Sequence, residues 1–166
     1  MSASDKAYAT EARLNVLIGS RVAVAKPSST TRTSTTTLTA DPHLTGTLAA
    51  NTSYWLELCA VVTGPAAADF KWDFTFPSGL TFTGYALASG AGAPLVQSWS
   101  PGANALSVAG VTGTAGGGAD DTVSVRGMLV TSGTSGTFTW RWAQLVSDPG
   151  NTIVRSGSSM LLQVSG

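Results

Sequence analysis

Residues 69–76 read Asp-Phe-Lys-Trp-Asp-Phe-Thr-Phe, with Phe70, Trp72, Phe74 and Phe76 on one parity and Asp69, Lys71, Asp73 and Thr75 on the other. Only a backbone whose side chains alternate between two faces separates these sets; a helix would scatter the aromatics around its axis. The segment is therefore a strand. Its register is tightly held, because a one-residue slip would turn four aromatics into water. A sheet with such a face needs a second apolar layer to cover it.

The same period recurs along the chain. Tyr54, Leu56, Leu58, Ala60 and Val62 alternate with Trp55, Glu57, Cys59 and Val61, and the period of two begins near Leu38. Phe138, Trp140 and Trp142 alternate with Thr137, Thr139 and Arg141. We read those aromatics as a core-facing row and not as a platform for stacking sugars, with Arg141 facing an acid such as Asp73 across the sheet. Turn signals stand at Gly64-Pro65, Pro77-Ser78-Gly79, Pro101-Gly102, Gly116-Gly117-Gly118, Ser132-Gly133 and Asp148-Pro149-Gly150. Between them lie strands near 80–87, 94–99, 104–111, 122–131, 136–146 and 158–164. Strands so closely spaced predict an all-β fold, an antiparallel β-sandwich. An eight-stranded jelly roll is the expected variant and an immunoglobulin-like topology the alternative.

The chain has 166 residues and a mass of 16.8 kDa, enough for one domain and an appendage. Area scaling predicts roughly 7,700 Å² of accessible surface folded against roughly 24,000 Å² unfolded. The appendage is expected at the front. Residues 2–19 have the pattern of a short amphipathic helix, with Ser2 or Ser4 as N-cap, Leu14, Leu17 and Ile18 on one stripe, and Gly19 as a stop. Leu14 to Ala25 also has the composition of a strand, and periodicity leaves both readings open. Residues 28–37 form a Ser/Thr tract broken by Arg32. The expected division is a basic docking arm over 1–27, a linker or first edge strand over 28–37, and a sandwich over 38–166.

Net charge is zero, which removes the basic field of a nucleic-acid binder. It is unevenly placed: residues 1–32 hold five basic and two acidic side chains, and the remainder four basic and seven acidic. Charged residues make up only 11%, against about 25% in ordinary soluble domains. Cys59 is the single cysteine, so no intrachain disulfide forms. The N-terminus lacks the pattern of a secretion signal, and no run of about 18 apolar residues offers a membrane span, so a soluble protein made in a cytoplasm is expected.

Groups able to do chemistry are few. His43, in Asp41-Pro42-His43, is the single histidine. A Ser-His-Asp triad would have to use it, and no Gly-x-Ser-x-Gly turn supplies the nucleophile. We read His43 as a locally bonded turn residue and Cys59 as a small core residue of an apolar strand. Asp120-Asp121 after the glycine run is a weak calcium signal, outweighed by a solvated loop. The glycine run lacks the Gly-Lys-Ser/Thr of a phosphate loop. No catalytic residue, metal site or cofactor is expected.

Three groups of short motifs carry a resemblance. They are Leu38-Thr39-Ala40-Asp41-Pro42-His43-Leu44 with Leu48-Ala49-Ala50-Asn51-Thr52-Ser53-Tyr54; Ala68-Asp69-Phe70-Lys71-Trp72 with Phe76-Pro77-Ser78-Gly79; and Arg141-Trp142-Ala143-Gln144-Leu145-Val146-Ser147, followed by Thr152-Ile153-Val154-Arg155-Ser156-Gly157-Ser158 and Met160-Leu161-Leu162. In this order, over roughly residues 30–164, they resemble the β-rich domain of structural proteins of tailed phages that infect actinobacteria. The resemblance implies a non-enzymatic virion surface protein. With a short arm and no long upstream region, the chain is more similar to a capsid decoration or head-fibre protein than to a minor tail protein.

The implied partner is the major capsid protein or another virion protein, with Tyr8, Arg13, Leu14, Leu17, Ile18 and Arg21 as candidate docking residues. A homotrimer is expected, with Trp55, Cys59 and Val61 on its interface, because that strand face is more apolar than a monomer normally exposes. No nucleic-acid or membrane partner is expected. The alternative is a tail-tip protein with weak contact to host-surface glycans. A depolymerase is disfavoured, because no pair of carboxylates is sensibly placed.

Overall fold

The computed structural model describes residues 21–88, 95–99, 107–111 and 120–165, and there the chain is a two-sheet antiparallel β-sandwich. The described strands are β1 (Arg21–Ala25), β2 (Thr30–Arg32), β3 (Thr39–Leu48), β4 (Ser53–Thr63), β5 (Phe70–Thr75), β6 (Thr81–Ala88), β7 (Leu95–Trp99), β8 (Ser107–Val111), β9 (Asp121–Val130), β10 (Gly136–Gln144), β11 (Thr152–Val154) and β12 (Ser159–Val164). Among the described residues no helix is long and apolar enough to cross a membrane.

Four ladders nest inside one another: β1 with β12, β3 with β10, β4 with β9, and β5 with β8. This is the pairing of one long hairpin of eight strands. Rolling that hairpin brings β12 beside β4 and β10 beside β5. The larger sheet then runs β1-β12-β4-β9-β6-β7 and the smaller β3-β10-β5-β8. Such a rolled hairpin is a jelly roll, and the nesting rules out the immunoglobulin-like order. The β6–β7 hairpin extends the larger sheet beyond β9, while β11 bridges β4 and β2.

The rows expected from alternation form the core. Tyr54, Leu56, Leu58, Ala60 and Val62 face Phe70, Trp72 and Phe74, with Phe138, Trp140 and Trp142 completely enclosed. Phe74 stacks on Phe138 with ring centroids 4.6 Å apart, and Phe70 stacks on Trp142 at 5.7 Å. Arg141 lies directly opposite Asp73, and its Nε donates to Asp73 Oδ1 at 2.8 Å. This pair stands on the outer face of the smaller sheet, as anticipated.

The arm boundary at residue 27 requires correction. Arg21–Ala25 is an edge strand of the larger sheet, paired with Ser159–Gln163, and Val22 and Val24 pack on the core. Lys26 lies buried beneath it. Thr30–Arg32, inside the Ser/Thr tract, pairs with β11. The sandwich therefore begins no later than Arg21. The strand reading of this stretch holds for its last five residues, where alternating valines found an unpaired edge at β12.

Candidate functional site

Among the described residues, a buried polar cluster is built around Asp41. Between Thr139 and Arg141 the β3–β10 ladder skips, and Asp41-Pro42-His43-Leu44 arches out of register. Pro42 lacks an N–H, which suits an interruption of the ladder. Inside the arch Asp41 Oδ1 accepts from the backbone N–H groups of His43 (3.0 Å) and Leu44 (3.2 Å), and Oδ2 accepts from Trp142 Nε1 (3.0 Å). Lys26 Nζ reaches both oxygens, at 3.0 and 2.9 Å, with both side chains fully enclosed. Burial pushes the carboxyl upward, but the Lys26 bond, the His43 amide, the Trp142 indole and the Lys26 charge together hold it below the usual carboxylate range.

Lys26 spends its other donors locally. Nζ donates to Thr30 Oγ1 at 2.6 Å and faces His43 Nδ1 at 3.2 Å. Its backbone is clamped by the β11–β12 turn, where Lys26 N donates to Ser158 O and Gly157 N donates to Lys26 O. Arg32 lies close by, with its guanidinium 3.8 Å from the Trp142 ring centre and donating to the carbonyls of Thr39, Ala40 and Trp142. Burial lowers the Arg32 pKa, opposed by the charge of Asp41. The cluster links the end of β1 with β2, β3 and β10.

The other residues weighed for chemistry fall apart in space. His43 is a correction to its reading as a turn residue: it lies within β3 of the smaller sheet, where its backbone N–H donates to Asp41 Oδ1 and its ring Nδ1 faces Lys26 Nζ, seventeen residues away in the chain. Cys59 is exposed on the outer face of the larger sheet, a correction to its reading as a small core residue. Asp120 accepts from Arg155 Nε at 2.8 Å. Among the described residues no three His, Cys, Asp or Glu side chains converge on a point a metal ion could occupy.

What remains is a surface. Trp55 and Cys59 stand exposed and Val61 half-buried on the outer face of β4, so the structure keeps all three on one face. Register joins further residues to them: Met128 sits beside Trp55, Arg126 beside Glu57, Tyr85 beside Arg126, and Leu87 beside Ser124. Arg126 Nη2 donates to Glu57 Oε1 at 2.6 Å. At the β1 side, an open groove of about 350 Å³ is lined by Arg21, Ala23, Ala25, Glu57, Cys59 and Leu161, among others. Sequence reasoning missed Tyr85, Leu87 and Met128, which lie on strands remote from β4 in the chain. Of the candidate docking residues, Arg21 occupies β1; Tyr8, Arg13, Leu14, Leu17 and Ile18 lie outside the described residues. No family model, no curated protein and no solved structure matches the chain.

Proposed function

We propose that the chain is a non-enzymatic surface protein of a tailed-phage virion, a capsid decoration or head-fibre protein that docks on the capsid lattice and stabilises it. The observation that carries this reading is the division of the sandwich into spent polar chemistry and an open apolar face. The described groups best suited to catalysis, Asp41, Lys26 and His43, are tied to one another, while one sheet face keeps large apolar side chains in solvent. Such a surface fits assembly better than turnover. A jelly roll is a scaffold common in capsid proteins, and the motif resemblance points the same way.

In this reading residues 1–20 supply the attachment. They hold Arg13 and the Leu14, Leu17, Ile18 stripe and lead directly into β1. A short amphipathic segment is marginal alone in water, so a partner surface would order it by burying the stripe. Binding of the full chain to purified particles, compared with a chain starting at Arg21, tests this: the full chain binds and the shortened chain does not. Equal binding by both would end the docking-arm reading. The exposed rings of Trp55 and Tyr85 favour a second reading, a tail-tip module that contacts host glycans. Imaging of labelled protein on intact particles separates head from tail.

A further inference from the structure

We infer that the outer face of the larger sheet is a two-fold, face-to-face interface between two copies of this chain, in which Glu57 of each copy meets Arg126 of the other. The inference does not depend on the virion reading. It begins with an asymmetry. Five large apolar side chains are exposed among the described residues, and four of them, Trp55 (41%), Tyr85 (37%), Leu87 (40%) and Val130 (42%), stand on this face. The outer face of the smaller sheet instead presents Thr45, Thr47, Thr75, Thr137, Lys71 and the Asp73–Arg141 pair.

Register lays the apolar face out as three rows across β12, β4, β9 and β6. They are Gln163, Trp55, Met128, Thr83; then Leu161, Glu57, Arg126, Tyr85; then Ser159, Cys59, Ser124, Leu87. With the strands of the two copies aligned and the charged row at the centre, a second copy can meet this face across either of two perpendicular two-fold axes lying in its plane. The axis perpendicular to the strands, through the middle row, sets Glu57 on Glu57 and Arg126 on Arg126, and like charges exclude it.

The axis along the strands, midway between β4 and β9, sets each β4 on the second copy's β9. Glu57 then meets the second copy's Arg126, and Trp55 its Met128. Leu161 meets its Tyr85, and the groove between β1 and β4 lies opposite its β6, which carries Tyr85 and Leu87. The pair at the centre is half exposed, at 46% for Arg126 and 38% for Glu57, so both side chains can be shared across the axis.

The size suffices. The four strands that this axis pairs, β12, β4, β9 and β6, at about 4.8 Å spacing and about 30 Å mean length cover roughly 580 Å² per copy, or about 1,150 Å² in total, above the roughly 1,000 Å² of a specific interface. A face complementary to itself closes as a dimer, whereas a trimer joins two different patches. The dimer therefore replaces the trimer expected from Trp55, Cys59 and Val61.

Sedimentation equilibrium of the full chain at micromolar concentrations, without particles, tests the inference. The wild type should sediment as a dimer. Glu57→Arg, which sets arginine against arginine, should weaken the dimer at least about ten-fold, and Glu57→Arg with Arg126→Glu should restore it. Trp55→Ser should weaken it likewise, and Thr47→Arg on the opposite face should leave it unchanged, each variant keeping the wild-type circular dichroism. A monomeric or trimeric wild type, a Glu57→Arg dimer as tight as wild type, or a double variant no tighter than the single one would overturn the inference.

Discussion

Asp41 shows how much of this fold rests on one side chain. It accepts from Lys26, Trp142, His43 and Leu44, and so ties the first strand of the sandwich to the smaller sheet. Removing one partner of a buried ion pair leaves the other charge uncompensated, which costs about 3–5 kcal/mol. Asp41→Ala should lower unfolding stability by that amount in urea titrations, whereas Lys26→Met with Asp41→Leu should recover a large part of the loss. If the double variant is as unstable as Asp41→Ala, charge compensation is not what the pair contributes.

A pH dependence follows from the same site. The Asp41 carboxyl is held below its usual range in the folded chain, so its contribution is complete above the unfolded value of about 3.9. It is lost as pH falls from there through the folded value. The stability gap between wild type and Asp41→Asn should be widest near neutrality and shrink on acidification below about pH 4. A gap that stays constant down to pH 2 would refute this assignment.

At the scale of elements, β6 and β9 are pressed together at Gly84 and Gly127, which oppose each other in register. A Cβ on Gly127 would lie 2.4 Å from Thr83 O and 2.6 Å from the Phe82 ring, and one on Gly84 would lie 2.2 Å from Arg126 O. Phe82 lies over the pair because neither position carries a side chain. Gly127→Ala should therefore destabilise by about 1–3 kcal/mol through overpacking, read as a lower thermal midpoint; a change within error would mean that β6 moves aside freely.

Strand β1 invites a paired truncation. A chain starting at Arg21 should melt like the full chain, because β1, Lys26 and their bonds to β12 and Asp41 survive. A chain starting at Ser28 should lose about 3 kcal/mol or more, because Asp41 is left buried without its cation. Equal melting of the two truncated chains would place β1 outside the cooperative unit.

The whole molecule divides sharply between what the chain order displays and what folding creates. Alternation along β4, β5 and β10 declared the strands, their inward rows and the sandwich class, because side-chain parity is local and needs no neighbour to be read. The Arg141–Asp73 pair was legible for the same reason, once two strands of known parity lay side by side. The arm boundary was not. Lys26 beside Pro27 reads as a solvated turn, since lysine is seldom buried, and only its partner Asp41, fifteen residues on and in the other sheet, makes burial tolerable. The short strand β11 escaped notice because three residues carry too little periodicity to detect.

The outer face shows the same limit from the other side. Trp55, Cys59 and Val61 were visible as one row of one strand, yet Met128, Arg126, Tyr85 and Leu87 joined them only through the registers of β4 with β9 and β9 with β6. Local pattern thus determined fold class and core by itself, because burying alternate apolar side chains has few solutions. Which surface is apolar, which charge lies at its centre and which lysine is enclosed were decided by tertiary structure, because each depends on residues far apart in the chain being brought to neighbouring strands or facing sheets.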